Sequence, residues 1–330
     1  MRVLAALLCL AACGDPIAGD AADARDVALD AAPPPYPPWT MVVLPDTQVY
    51  MNLHPEIWAA QTRWIAEHAA ELDVRMVLHV GDVTEWNSPA EWARARDGFD
   101  EIEAVAPLVV VTGNHDYDVS RTRVSRLSEY WTADHLRAQP SFGGLFEADR
   151  TDNHYQRFTI AGQTWLVLGL EWGPRPSVLD WAASVLDAEP ADHVVIDTHA
   201  YLYNDDRRYD WARWGDRQSW NPHWYVGTPW PIVSDGEELW QRVIADRTNV
   251  DLVVSGHVAV HGVGHATSRA AGDHPVHEVL QDYQGDELGG AGYLRLYTFF
   301  GDRIEIRTYS PYLDRFEQNP DDEFTLPWHP

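Results

Sequence analysis

The amino-acid sequence predicts a layered α/β domain on three observations. Short apolar runs recur along the chain, helical patterns lie between many of them, and a polar cluster follows most of the runs. The runs are Thr40 to Leu44, Arg75 to Val80, Leu108 to Thr112, Trp165 to Leu170, Val194 to Asp197 and Leu252 to Ser255, which read as buried strands. Helical patterns span roughly Pro55 to Glu71, Pro89 to Val105, Ser177 to Leu186 and Asp235 to Ala245. Ser88-Pro89 is a good pairing of cap and first helical residue, and Pro55 offers a second start. Strand alternating with helix is the signature of a layered α/β domain.

Towards the C-terminus, Val276 to Tyr283, Gly292 to Phe300 and Arg303 to Tyr309 read as consecutive strands, with Gly301-Asp302 as a hairpin turn. They are expected to complete a second sheet. Tyr203 to Pro231 stands apart, with five Trp, several Arg and Asp, and little periodicity. It reads as a long functional loop or small cap. No internal repeat is present, and no boundary divides residues 39 to 330.

The 330 residues are long enough for one large core or two domains, and the hydrophobic content of 45% is that of a folded protein. The 16 Trp are assigned mainly to packing. A net charge of −27 argues against nucleic-acid binding through basic patches and against adhesion to an anionic membrane. An anionic substrate then needs local positive charge, which bound metal ions supply.

The first residues have a short positive start and an apolar run too brief to span a membrane, which fits an export signal. Leu10-Ala11-Ala12-Cys13 resembles the lipobox of bacterial lipoproteins. That resemblance implies a signal peptide over 1–13, a lipid on Cys13 and membrane contact through this anchor alone. Residues 14–38, rich in Ala, Asp and Pro, read as a disordered spacer with a stiff end. The spacer carries −4 and Arg2 carries +1, which leaves −24 in the folded domain at 39–330. Cys9 and Cys13 are the only cysteines, so a metal site in that domain uses His, Asp, Asn or Gln.

Five polar clusters follow strands: Asp46-Thr47-Gln48, Gly81-Asp82, Gly113-Asn114-His115-Asp116, Thr198-His199 and Gly256-His257. Residues just beyond the carboxyl ends of strands in an α/β sheet converge on one crevice. In order and spacing these clusters resemble the calcineurin-like metallophosphoesterase family, over about Thr40 to Tyr309. The Asp46-Thr47-Gln48 start and the stretch Asn319 to Leu326 are similar to a bacterial secreted branch of it.

The resemblance implies a four-layer αββα sandwich of two mixed sheets flanked by helices, with two divalent ions (manganese, iron or zinc) at one edge. It places one ion on Asp46, Gln48 and Asp82, and the other on Asp82, Asn114, His199 and His257. His115 is implied as the acid that protonates the leaving group, with Asp116 orienting or electrostatically supporting it. Such a pair of ions clamps a phosphoryl group and activates water, which implies hydrolysis of small-molecule or phosphoprotein phosphate esters.

Two positions depart from the family pattern. Gln48 stands where histidine is usual, and Ala259 occupies the place of the second histidine of the Gly-His-x-His motif. His261, two residues on, is the candidate substitute, with His265 more remote. Arg207, Arg208 and His223 are candidate substrate contacts. The alternative reading is a cell-surface binding protein that holds metal with weakened catalysis. A serine hydrolase is disfavoured because no Gly-x-Ser-x-Gly elbow is present.

Overall fold

The computed structural model describes residues 37–117, 123–225, 232–260 and 262–328. The export signal, Cys9, Cys13 and nearly all of the spacer lie outside these residues. The described part is built on two seven-stranded sheets. The first runs in the order Arg315–Phe316, Arg303–Ser310, Leu294–Phe299, Trp39–Leu44, Val74–His79 and Leu108–Val110, with Glu323–Pro327 also pairing to Arg303–Ser310. The second runs Val263–Arg269, Pro275–Gln281, Val250–Ser255, His193–Thr198, Gln163–Leu170, His154–Ile160 and Phe142–Leu145.

Period-two alternation assigns each strand a face in two layers of core. In the first sheet Met41 and Val43 point between the sheets, while Val42 and Leu44 point outward to the helices. In the second, Trp165 and Val167 point inward, and Leu166, Leu168 and Leu170 point outward. Outside the first sheet lie the helices Pro55–His68 and Pro89–Glu103, contributing Trp58, Ile65, Trp92 and Phe99. Outside the second lie Pro176–Ala188 and the segment from Gly236 to Ile244, contributing Leu179, Ala182, Leu239 and Val243. The architecture is therefore αββα. Each fully buried aliphatic side chain in these layers contributes about 1.5–3 kcal/mol.

The helix starts follow the local chemistry read from the sequence. Ser88 accepts from the Glu91 backbone N–H while the Glu91 carboxylate accepts from the Ser88 N–H, and Pro89 fills the first turn. Among the described residues no helix is long and apolar enough to cross a membrane.

One expectation is corrected. Only Pro275–Gln281 joins the second sheet; Leu294–Phe299 and Arg303–Ser310 belong to the first. Leu294–Phe299 pairs antiparallel with Trp39–Leu44, a contact between the chain's ends that local patterning does not carry. The core strands on either side of the centre are parallel: Trp39–Leu44 with Val74–His79 and Leu108–Val110, and Gln163–Leu170 with His193–Thr198, Val250–Ser255 and Pro275–Gln281. Their carboxyl ends fall on one edge of the sandwich.

Candidate metal centre

At that edge buried side chains hold the loops in place. Burial keeps the His79 imidazole neutral, lowering its pKa to about 3. It lies 3.2 Å from Thr47 Oγ1 through Nε2 and takes the Gly81 N–H on Nδ1 at 3.3 Å. Thr47 Oγ1 donates onward to the Val83 carbonyl at 2.9 Å, so two loops are tied through one ring. Asp116 makes different contacts from those expected. Its carboxylate accepts from the backbone N–H groups of Val83, Thr84 and Gly113 and from the Thr84 hydroxyl, at 2.8–3.1 Å. Asp116 therefore splices the Gly81-Asp82 turn to the Gly113 turn. The His115 ring takes its hydrogen bond elsewhere: Nδ1 donates to the Glu85 carbonyl at 3.2 Å, with the Glu85 carboxylate at 3.7 Å. Burial lowers the His115 pKa, but Asp82 and Glu85 more than offset this and leave it raised.

The structure brings Asp46, Gln48, Asp82, Asn114, His199 and His257 together. Asp82 is central and fully buried, on a left-handed backbone with φ +48°. Its Oδ1 accepts from the His115 N–H at 2.8 Å, and its Oδ2 lies 3.0 Å from Gln48 Nε2 and 3.3 Å from His199 Nε2. Burial pushes the Asp82 pKa up, but His199, His115 and His257 together hold it well below the usual carboxylate range. His257 also has positive φ, +83°. Two non-glycine residues in this conformation cost about 1–3 kcal/mol each, a strain that clusters at functional sites.

Both histidines are fixed by their outer nitrogens. His199 Nδ1 lies 2.8 Å from the Val80 carbonyl oxygen and His257 Nε2 lies 2.7 Å from that of Trp220. A carbonyl oxygen only accepts, so each outer nitrogen carries the proton. His257, whose pKa burial and then His199 lower to about 3, is neutral and turns the lone pair of Nδ1 to His199 Nε2 at 3.1 Å. Burial lowers the His199 pKa, but Asp82 more than offsets this and leaves it raised, and Asn114 Oδ1 lies 3.3 Å from the same nitrogen. Two imidazole nitrogens so converged, beside a carboxylate and an amide oxygen, fit a cation between them once His199 Nε2 is free of its proton. A proton on the outer nitrogen is also the usual second support of a metal-ligating imidazole.

Two glycines make the close approach possible. A Cβ on Gly113 would sit 2.1 Å from Asp82 Oδ1, and one on Gly256 would sit 2.0 Å from Asp46 Oδ1. Asp46 is buried, accepts from the His257 N–H at 3.1 and 3.2 Å, and lies 3.9 Å from His199 Nε2. Burial, then Asp282 and Asp82, raise its pKa well above the ordinary value. Gln48 Oε1 is buried and without a partner. The donor set as a whole fits metal.

Sequence reasoning missed Asp282 and Gln284. The strand read as running to Tyr283 stops at Gln281, and the chain turns into the centre. Gln284 Oε1 accepts from Gln48 Nε2 at 2.7 Å, and Gln284 Nε2 lies 3.3 Å from Asp46. The signal available was positional: Asp282 follows a parallel strand as the other clusters do. His261 lies outside the described residues, and Ala259 offers no ligand atom. His265 stacks on Phe324.

The Trp-rich segment meets the centre through the Trp220 carbonyl and the rings of Tyr209 and Tyr225, 5.9 and 6.3 Å from that of His257. The candidate substrate residues are corrected, because acidic partners occupy them. Arg208 is bound by Glu237, Glu278 and Ser268. His223 pairs with Glu238 at 2.6 Å, within a cluster where Asp235 and Glu238 form a helix capping box. Arg207 pairs with Asp205 and lies over Trp214.

Two facing mixed sheets between helices, with His, Asp and Asn side chains meeting at their shared carboxyl edge, define a metallo-dependent phosphatase fold. The family model for calcineurin-like phosphoesterases matches residues 40–261, and the chain belongs to that metal-dependent family. It is 28% identical over 311 residues to the uncharacterized protein YvnB of Bacillus subtilis (strain 168), an overlap of 90% of this chain and 22% of that protein. Among solved structures it is similar to the purple acid phosphatase PPD1 from yellow lupin (Lupinus luteus) seeds, at 13% identity and a TM-score of 0.50, covering 89% of this chain and 55% of that one. The calcineurin-like phosphoesterase YfkN from Bacillus subtilis aligns at 12% identity and a TM-score of 0.41, covering 88% of each chain. These structural likenesses are of fold, and the chain spans only about a fifth of YvnB.

Proposed function

We propose that this chain hydrolyses phosphate esters with two divalent ions bound at this edge. The observation that carries the reading is the convergence of Asp82, Asn114, His199 and His257, with both imidazoles locked by their outer nitrogens. Asp82 would be shared between the ions, with Asp46 and Gln48 completing the second. The ions, when bound, offset phosphate charge and make water nucleophilic at neutral pH. The protein's own residues do the rest. Asp116 holds the two turns in register, the Glu85 carbonyl orients the His115 ring, and His115 supplies a proton to the departing oxygen. The Trp220 carbonyl and Tyr225 wall the crevice on the His257 side.

The test is turnover of p-nitrophenyl phosphate and its bis ester by metal-stripped protein given Mn(II), Zn(II) or Fe(II). The reading fails if no metal supports turnover and Asp82→Asn leaves metal content unchanged. A second reading, a metal-holding surface protein without catalysis, draws on Gln48 and Ala259 standing where the family pattern has histidine. One tightly bound ion without turnover would favour it. We also propose that the chain is exported and lipid-anchored at Cys13, a reading supported by its first 13 residues. Membrane fractionation of Cys13→Ser checks this, since retention in the membrane fraction would refute the anchor.

A further inference from the structure

The Asp46 side of the centre contains two residues that the family pattern does not supply. Gln284 is gripped by Asp282: its backbone N–H donates to Asp282 Oδ1 at 2.8 Å and its side-chain NH2 to Asp282 Oδ2 at 2.7 Å. The same NH2 lies 3.3 Å from Asp46 Oδ2. With its nitrogen committed to two carboxylates, the Gln284 amide must turn its oxygen the other way, towards Gln48. There Asp82 Oδ2 and Gln284 Oε1 converge on one atom, Gln48 Nε2, at 3.0 and 2.7 Å. Gln48 Oε1, in the same buried amide, has no partner. A half-turn of that amide exchanges its nitrogen and oxygen with almost no change of shape. It would gather oxygens from Gln48, Asp82 and Gln284 beside Asp46 in place of the two hydrogen bonds that the Gln48 nitrogen donates. Converging oxygens of this kind are stable only around a cation.

We propose that Gln284 is a ligand of the ion on Asp46, Gln48 and Asp82, filling with its side-chain carbonyl the place left by the missing histidine. Asp282 is the positioning residue that aims it. Among the described residues the donor set is then oxygen throughout, which selects a hard divalent cation, manganese or magnesium, over zinc. The centre is asymmetric: a nitrogen-rich half around His199 and His257, and an oxygen half around Gln284. This inference rests on the reading of the edge as a metal centre and adds to it the ligand and the ion class.

The experiment is titration of the metal-stripped full chain with Mn(II) and then Zn(II), read by calorimetry and by electron spin resonance of bound manganese. The parent is expected to bind two Mn(II) with a spin-coupled signal. Gln284→Ala should keep one ion, weaken the other at least tenfold and give the signal of an isolated ion. Gln284→Glu should keep both, and Gln284→His should keep both while moving the weaker site's preference towards zinc. Asp282→Asn should fall between parent and Gln284→Ala. Two ions bound by Gln284→Ala with parental affinities would overturn the inference. So would a parent that binds a single ion; turnover by that parent would keep phosphate-ester hydrolysis without the two-ion centre, and no turnover would favour the metal-holding surface protein. A parent binding no metal would defeat both readings. Where Gln284→Ala does not fold, an anomalous map of the manganese-loaded parent decides: Gln284 Oε1 in the ion's coordination shell supports the assignment, and its absence refutes it.

Discussion

The two halves of the centre solve one problem with different materials. On the His199 and His257 side, each imidazole is fixed by a proton donated to a backbone carbonyl, so the inward nitrogen is aimed before any ion arrives. On the Asp46 side the ligands are carboxylates and amides whose alignment depends on one another, through Gln284, Gln48 and Asp282. The first half is organised by the sheet; the second is organised by its own hydrogen bonds. Pre-arranged nitrogen favours tight binding of borderline ions, and a mutually aligned oxygen set favours hard ones held less firmly.

Asp82 touches Gln48 on one side and His199 on the other, so its loss should have the largest effect. Asp82→Asn is expected to lower kcat/KM on the order of a thousandfold, as withdrawal of several kcal/mol of charge stabilisation requires. Steady-state kinetics with metal analysis checks this, and retention of both ions would break the idea of a shared carboxylate. The glycines offer a cleaner contrast, because each added Cβ strikes one carboxylate. Gly113→Ala should behave like Asp82→Asn, whereas Gly256→Ala should displace Asp46 and the Val80 side chain but not Asp82, and cost about 10–100-fold. Equal metal loss in the two variants would show that the halves are not separable.

A smaller change converts one half towards the other. Gln48→His should raise zinc affinity on the Asp46 side by about tenfold while leaving the His199 side unchanged, measured by competition titration. The smallest effect is a control outside both halves. Burial lowers the His154 pKa to about 4, and its Nδ1 lies 3.0 Å from the Thr151 carbonyl. Its folded pKa lies below the unfolded value of about 6.5, so the unfolded chain binds more protons and stability falls as pH falls through that window. Between pH 7 and 5.5 this costs about 1 kcal/mol, and His154→Gln should remove it from the urea midpoint of the metal-stripped protein.

The sequence made the nitrogen-rich half plain because its residues close apolar runs: Gly81-Asp82 after Val80, Asn114 after Thr112 and Gly113, His199 after Thr198. Such punctuation is local, and so are the helix starts at Pro55 and Ser88. Gln284 was not legible for the opposite reason. Asp282-Tyr283-Gln284 looks like more of the same strand, and its role arises from meeting Gln48, 236 positions earlier. The sheet assignment of Leu294–Phe299 failed likewise, because its partner is at the other end of the chain. Arg208 and His223 looked available because sequence does not show which carboxylates will reach them; Glu278 arrives from 70 positions away.

The aromatic knot at the opposite end of the strands gives the centre a mechanical meaning. Trp39 stacks on Phe299 at 4.1 Å and meets Trp165 edge-on, and Trp165 stacks on Trp328, joining residues of both sheets where their central strands begin. Roughly 17 Å away, where the strands end, Asp46, Asp82 and Asn114 come from one sheet and His199, His257 and Gln284 from the other. The sandwich is thus riveted at one end by apolar contact, and at the other by groups that repel one another until charge is balanced. Removing metal would leave a clothes-peg with its spring end intact, and the jaws are the active edge.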